Sequence, residues 1–268
     1  MAILNIIQRY EQFIKGQVRL LPSENILSPV ARNVMVSDVS GRYAHHFYSG
    51  KKHVLELLNR VEELAKELFR AKHAFITPLS GNLCDLAVLL AFSGPGDKVA
   101  MVADEDGGYP LNLEFFGRER VNLPMDIGKF NLDCDAAIGL IQGEKPRLVI
   151  LGTSFILHPI PRIKEIVDVT HSYGGLVVYD ASHPLGLIAG GQFQDPLREG
   201  VDCMIGSTHK SFPGPQGGLV FTNDGKLKEK LDVVVGADPT APLVLVDNPH
   251  PGRIAALGIT LEEMIDHG

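Results

Sequence analysis

Hydrophobic residues repeat with a helical period in several parts of the chain. In residues 52–70, KHVLELLNRVEELAKELFR, apolar positions recur every three or four residues, which predicts an amphipathic helix with a charged outer face. A second helix is predicted in NLCDLAVLLAF, which ends at SGPGD. A third is predicted in PRIKEIVDVTHSYG, with Pro161 in its first turn and Gly174 at its end.

The first twenty residues show the same period. Ile3, Ile6, Ile7, Tyr10 and Phe13 fall on one stripe, so residues 1–20 are predicted to form a helical arm. Such an arm must bury its apolar stripe, either against its own domain or against a neighbouring subunit. The next segment, LPSENILSPV, is predicted to be a loop because it contains two prolines.

Other apolar runs are short and lack the helical period. They are AFITPLSG, KVAMVAD, PRLVILGTS, GGLVVYD, VDCMIGS and GGLVFTN. Several are continuously apolar, as expected for strands that are buried on both faces. Because these strands alternate with helices, the sequence predicts an α/β fold: a three-layer sandwich whose mostly parallel central sheet is covered by helices on both faces. Residues 237–253 are predicted to form a proline-rich loop before a last helix, IAALGITLEEMID.

Polar residues follow the predicted strands at their carboxyl ends. They are Ser80, Asp104, Ser154, Asp180 and Ser207. Ligand sites of parallel sheets lie beyond these strand ends. The sequence therefore predicts a site along this edge.

Two of the residues at this edge have a specific chemical use. Lys210 lies in a tight loop after VDCMIGS, and a lysine in such a loop can form a Schiff base with an aldehyde. Asp180, at the end of GGLVVYD, can hold a pyridinium nitrogen protonated. Pyridoxal phosphate chemistry requires both groups. Considered alone, Lys210 could instead be an ordinary surface lysine in a loop, and Asp180 could simply cap the end of a strand.

Neighbouring residues could complete such a site. Ser80, Gly81 and Asn82 lie where a strand turns into a helix, so free N–H groups and the helix dipole could attract a phosphate; a plain N-cap is the alternative. Ser207, Thr208 and His209 precede the lysine and could hold a phosphate. His183 could support Asp180 or touch a substrate, and Tyr109, after two glycines, could present its ring over a cleft. The alternatives are that His183 has only a structural role and that Tyr109 is a buried core residue.

Composition limits the function classes. The 268 residues are 45% hydrophobic and 21% charged, as in an ordinary globular protein, and suffice for one large domain or two small ones. A net charge of −7 argues against nucleic-acid binding. No apolar run reaches the ~20 residues of a membrane span, and the N-terminus lacks signal-peptide features. The three cysteines have no metal or redox spacing. We therefore expect a cytoplasmic protein.

Five segments together resemble one known family. LPSENILSPV, RYAHHFYSG, TPLSGNLCDLAVLLAFSGPGD, YDASHPLGLIAGG and GSTHKSFPGPQGGLVF occur across residues 20–225. They resemble, in order and spacing, the ASEN, KYAEGYPG, HSGSQAN…PGD, VDMAHIAGLVAAG and TTTHKTLRGPRGGL segments of serine hydroxymethyltransferases. That family belongs to the fold-type-I pyridoxal phosphate enzymes.

The resemblance implies roles for individual residues. Lys210 would be the Schiff-base lysine, Asp180 would pair with the pyridinium nitrogen, and Tyr109 would replace the histidine that stacks on the ring. The phosphate would be bound by Ser80, Gly81 and Asn82 and flanked by Ser207 and His209. Ser154, at a strand end, and His183 are also expected to contact the cofactor. Ser23 would touch the substrate carboxylate and His183 would face the substrate. Tyr43 would reach the cofactor phosphate of a neighbouring subunit in a homodimer.

The implied reaction is Cα–Cβ cleavage of a β-hydroxy amino acid, which gives glycine and an aldehyde or a one-carbon unit on tetrahydrofolate. Some residues depart from the family pattern. His45, followed by His46, replaces the catalytic glutamate of the YAEG motif, although an imidazole can also exchange a proton near pH 7. Gln216 replaces the arginine of GPRGG, and VDNPHPG replaces a glycine-rich loop.

Family members also continue into a small C-terminal domain that holds the arginine for the substrate carboxylate. We expect residues 21–268 to form only the cofactor-binding large domain. Three interpretations stay open. The first is a serine hydroxymethyltransferase-like enzyme. The second is a threonine-type aldolase or transaldolase, which His45 and the shortened loop after it favour, and the third is a cofactor-binding chain without turnover, which the missing domain favours.

Overall fold

The computed structural model describes residues 1–43, 48–152, 154, 156–236 and 245–268. His45, which the sequence suggests for proton transfer, lies outside the described residues. Its role therefore stays a prediction.

The chain alternates between helices and strands, as the sequence predicts. The helices are α1 Ala2–Lys15, α2 Pro29–Val34, α3 Lys51–Phe69, α4 Gly81–Phe92, α5 Cys134–Glu144, α6 Ile163–His171, α7 Leu185–Ala189, α8 Gly225–Val235 and α9 Pro251–His267. The strands are β1 His73–Phe75, β2 Lys98–Val102, β3 Glu119–Leu123, β4 Met125–Asp126, β5 Asn131–Leu132, β6 Leu148–Leu151, β7 Leu176–Asp180, β8 Cys203–Ser207 and β9 Gly218–Thr222.

Within the described ranges, the main sheet has the strand order β1-β9-β8-β7-β6-β2-β3. The pairs β3–β2, β2–β6, β6–β7 and β7–β8 are parallel, whereas β9 pairs antiparallel with β8 and β1. This confirms the prediction of an α/β fold with a mostly parallel sheet. The parallel strands end at a common edge, and Asp180 and Ser207 are the last residues of β7 and β8.

Each face of the sheet is covered by its own apolar core. On one face, α4 and α8 pack over alternate residues of the strands, such as Ile150 and Ile205. On the other face, α3, α5, α6 and α9 cover the intervening residues, such as Leu151 and Met204. A sheet that is buried on both faces explains why its central strands read as continuous apolar runs.

Several boundaries differ from the sequence predictions. The sequence pattern does not predict β3, whose alternating residues lie at the edge of the sheet, nor α5 and the β4–β5 pair. Helix α2 begins inside the predicted loop because the Ser28 hydroxyl accepts a hydrogen bond from the Ala31 N–H and Pro29 fits the first turn. Pro161 precedes α6, which begins at Ile163, and α9 begins early, at Pro251.

The apolar stripe of α1 is not covered by the rest of the chain. No residue of this helix is buried, and Ile3 and Phe13 are 69% and 64% exposed. Among the described residues, contact with the rest of the chain leaves most of this stripe exposed, and Tyr10 lines a cavity together with His209 and Pro215. No described helix combines the length and the apolar character needed to span a bilayer.

Helices α3 and α9 pack closely enough to require a glycine. A Cβ at Gly258 would lie 2.7 Å from Val61 Cγ2, whereas one at Gly139 in α5 would meet no atom within 4 Å. We predict that Gly258→Ala lowers the free energy of unfolding by about 1 kcal/mol or more, because overpacking strains the core. Gly139→Ala should raise it by about 0.5–1 kcal/mol through helix propensity. Urea unfolding measures both, and equal effects would contradict the packing described.

Candidate active site

The site is built where β7 and β8 end beside the first turn of α4. The Asp180 side chain is buried, and its Oδ1 accepts a hydrogen bond of 2.9 Å from the Ser182 N–H. The Ser182 hydroxyl accepts a bond of 3.1 Å from the Ser207 N–H and lies 3.2 Å from the Ser207 hydroxyl. These bonds tie the two strand ends together and hold the Asp180 carboxyl group in place.

The loop that carries Lys210 is held by its own backbone. The Thr208 N–H donates to the Gly217 carbonyl at 3.0 Å, and the Thr208 carbonyl accepts from the Gly214 N–H at 2.8 Å. Asn25 reaches across from the N-terminal segment and donates its amide to the Lys210 carbonyl at 2.6 Å. The backbone of Lys210 is thus fixed on both sides, and its side chain extends into the site.

The Lys210 amine meets His183. Lys210 Nζ lies 3.2 Å from His183 Nε2, and the Ser154 hydroxyl lies 2.9 Å from the same nitrogen. Burial and, to a smaller extent, the nearby Lys210 together lower the pKa of His183 to about 4. The imidazole is therefore neutral near pH 7, and its Nε2 can accept a hydrogen bond from either neighbour.

The first turn of α4 has the features of an anion cradle. The Ser80 hydroxyl caps the helix by accepting from the Leu83 N–H at 3.2 Å. The N–H groups of Gly81 and Asn82 have no acceptor in the described part of the chain, as is usual for a first turn. A Cβ at Gly81 would lie 2.2 Å from the Ser207 hydroxyl oxygen, so only glycine lets the helix approach β8 this closely.

Tyr109 lies over this turn. Its hydroxyl donates to Asn82 Oδ1 at 3.1 Å, and its ring is half-buried. The preceding Gly108 makes this possible, because a Cβ there would lie 2.0 Å from the Val102 carbonyl oxygen at the end of β2. Burial raises the pKa of the Tyr109 hydroxyl, and Asp85 and Asp180 raise it further.

Asp85 is a buried carboxyl group that the sequence interpretation missed. It lies on α4 four residues after Gly81, on the same side of the helix, and is 2% exposed. Burial raises its pKa well above the usual range, and Asp180 raises it further. Burial also raises the pKa of Asp180, although Ser182 and Lys210 oppose this. A lone acid inside the apolar run NLCDLAVLLAF was the available signal.

Two cavities flank Lys210. The first, of about 400 Å³, is lined by Lys210, His183 and Ser154 and by apolar side chains that include Ile156, Leu157, Leu187 and Phe193. The second, of about 280 Å³, contains Ser23, His209 and Gln216. Ser23 and His209 are therefore not in the cavity of His183, although Glu24 and Asn25 line both. Burial lowers the pKa of His209, and Lys210 adds to this effect.

Comparisons with known proteins identify the family of this chain. A model of the family described as serine hydroxymethyltransferase matches residues 1–238. Curated serine hydroxymethyltransferases are similar to it: the one from Picrophilus torridus is 38% identical over 280 residues, with 100% of this chain and 63% of the relative covered. Those from Methanocella arvoryzae and Thermoplasma acidophilum are 39% and 41% identical, with 98% and 96% of this chain and 63% and 61% of the relatives covered.

The chain belongs to the serine hydroxymethyltransferase family. It spans about 63% of the length of the first of these relatives. A solved structure of L-threonine transaldolase from Pseudomonas fluorescens is also similar, with a TM-score of 0.85 and 25% identity over 98% of this chain and 62% of the other. The family resemblance and the expected fold are thereby confirmed, while the roles of individual residues stay predictions.

Tyr43 is a further residue of the predicted set that the structure does not connect to Lys210 or Asp180. Its ring stacks on that of Tyr48, with 5.1 Å between centroids, and it is 40% exposed. No hydrogen bond joins Tyr43 to Lys210 or Asp180 within the described ranges. An approach to the site of a neighbouring subunit remains a prediction for this residue.

His183 gives the site a measurable signature. We predict that its imidazole in the ligand-free protein titrates near pH 4, because burial disfavours the charged form. The folded chain then binds this proton less tightly than the unfolded chain does, so stability is lost as the pH falls from about 6.5 to about 4. NMR of labelled histidine measures the pKa, and His183→Gln assigns the signal. Titration near pH 6.5 would contradict the burial described.

Proposed function

We propose that this chain binds pyridoxal phosphate at Lys210 and acts in Cα–Cβ cleavage of a β-hydroxy amino acid. One observation carries the proposal: Asp180, the Lys210 amine and the first turn of α4 converge at one sheet edge. The Lys210 amine is 3.2 Å from His183, three residues after the buried Asp180. Family membership supports the same assignment.

The residues present fit the cofactor. Its phosphate is an anion, and the N–H groups of Gly81 and Asn82 with the Ser80 cap offer donors at a helix N-terminus. Its pyridine nitrogen requires an acid, which Asp180 supplies, and its flat ring requires a surface such as that of Tyr109. When bound, pyridoxal phosphate supplies an aldehyde that condenses with amines and a ring that accepts electron density from Cα.

Asp180 is proposed to hold a proton on the ring nitrogen. Burial in an apolar region raises the pKa of an isolated carboxyl group, so the ionised form of Asp180 needs a cationic partner. A protonated ring nitrogen is such a partner. The Ser182 N–H, bonded to Oδ1, fixes the orientation of the carboxylate.

His183 is proposed to orient the Lys210 amine and then the substrate. Because the imidazole is neutral near pH 7, it accepts a hydrogen bond from Nζ without placing a second positive charge beside it. Ser154 holds the same ring nitrogen at 2.9 Å. Ser23, in the neighbouring cavity, remains the proposed contact for the substrate carboxylate, and His45 the proposed group for proton exchange.

The substrate class is a small β-hydroxy amino acid. Serine with tetrahydrofolate as acceptor is the first candidate, in keeping with the names of the curated relatives. Threonine-type aldol cleavage or transaldolation is the second. The observation that favours it is that apolar side chains, among them Leu157, Leu187 and Phe193, make up half of the lining of the cavity beside Lys210 and suit a substrate with an apolar β-substituent.

A homodimer is proposed as the working assembly. The apolar stripe of α1 is exposed in the described residues and would be buried by a second copy, and Tyr43 would then approach the partner site. Residues 1–20 would then be an arm and residues 21–268 the cofactor-binding large domain.

Cofactor binding can be tested directly. Wild-type protein titrated with pyridoxal phosphate should develop the visible absorbance of an aldehyde condensed with a lysine, and Lys210→Ala should lose it. Lys226→Ala, which removes an exposed lysine on α8, is the matched control and should behave as wild type. Equal absorbance in the Lys210→Ala protein would place the cofactor elsewhere.

Turnover tests the role of Asp180 and the substrate class. Asp180→Asn should keep cofactor binding but lower turnover about a hundredfold, because it removes the charge that stabilises the electron-accepting ring. Glycine release from serine with tetrahydrofolate would favour the first candidate, and folate-independent cleavage of threonine the second. Unchanged turnover in Asp180→Asn would contradict the proposed role.

A further inference from the structure

Arg253 on α9 is a buried guanidinium with unused donors. Its Nη2 donates to the carbonyl groups of Ile76, Thr77 and Pro249 at 2.8, 3.2 and 3.2 Å. Its Nε and Nη1 are buried and have no hydrogen-bond partner. Orphaned buried donors on a charged group are costly and rare in native proteins, so they call for an explanation.

The charge of Arg253 also lacks a counter-ion. Across the described residues, no carboxylate lies within ion-pair distance of this guanidinium. Burial lowers its pKa to about 10, so it remains a cation at neutral pH. A buried cation without an anion destabilises the fold on its own, which suggests that the anion arrives with a ligand.

The position of Arg253 indicates which ligand would supply this anion. A Cβ at Gly217 would lie 2.4 Å from Arg253 Nη1. On the next residue, a Cβ at Gly218 would lie 2.2 Å from Cys84 Sγ and 2.6 Å from the Ser80 carbonyl oxygen. The guanidinium therefore lies against Gly217, and the start of α4 lies against Gly218. Only the backbone of these two residues separates them.

We propose that Arg253 is the counter-charge for the phosphate group of the ligand bound at the first turn of α4. It acts as a positioning residue, across the Gly217–Gly218 backbone, and this inference rests on the cofactor site proposed above. Charges that are buried attract one another more strongly than exposed ones because little solvent screens them. The side chain at 216 does not supply this charge, since Gln216 is neutral and exposed.

The same contact ties cofactor binding to the Lys210 loop. Gly217 is bonded through its carbonyl to the Thr208 N–H, two residues before Lys210. A phosphate that attracts the guanidinium would draw α9 and this loop toward α4. The consequence is selectivity for aldehydes that carry a phosphate.

The test compares pyridoxal phosphate with pyridoxal, which has the same aldehyde and ring but no phosphate. Both are titrated against wild type, Arg253→Gln and Arg253→Lys, and the dissociation constant is read from the visible absorbance. We expect Arg253→Gln to weaken pyridoxal phosphate roughly tenfold or more while pyridoxal is unchanged. Arg253→Lys, which keeps the charge, should recover part of the loss.

Arg118→Gln is the matched control. Arg118 is also buried and bonds to Ser93, at the opposite end of α4. This variant should lose stability, measured by thermal unfolding, without changing the ratio of the two dissociation constants. Equal weakening of both aldehydes in Arg253→Gln, or no weakening, would overturn the inference. If the wild-type protein bound neither pyridoxal phosphate nor pyridoxal, both the proposed function and the inference about Arg253 would be wrong.

Discussion

The site depends on the direct contact between the first turn of α4 and the ends of β8 and β9. Gly81 lies against the Ser207 hydroxyl and Gly218 against Cys84, with no space for a Cβ at either position. This contact places the first turn of the helix, with its free N–H groups, beside the ends of β7 and β8, where Asp180 lies and where the loop to Lys210 begins. It also buries Asp85 one turn later. A side chain at either glycine would separate the helix from the sheet.

Burial of charge follows from this contact. Asp180 and Asp85 are buried together, and the pKa of each carboxyl group is raised. Arg253 is a buried cation with unused donors, and His183 is held neutral by its surroundings. Burying these groups lowers the stability of the fold when no ligand is bound. A ligand with a protonatable ring nitrogen, a phosphate and an aldehyde would complement the acid, the cation and the amine respectively, which gives the unusual electrostatics a common cause.

The sequence predicts those parts of the fold that have a strong local pattern. Continuous apolar runs predict the buried strands, and the residues just after them predict the site edge. The edge strand β3 has neither a long run nor a clear boundary, so it is missed. The contacts of Asn25 with Lys210 and of Arg253 with Gly217 join distant parts of the chain, so no spacing predicts them. Ser23 and His209 adjoin site residues in sequence but line a different cavity.

The central claim is that Lys210 is the residue that takes up the aldehyde. Borohydride reduction of the protein mixed with pyridoxal phosphate makes the linkage permanent, and mass spectrometry of the peptides then locates it. The account predicts that the label is found at Lys210, because its amine contacts His183 and opposes the raised pKa of the buried Asp180 and Asp85 carboxyl groups. Label spread over exposed lysines such as Lys226, with Lys210 unmodified, would contradict the account.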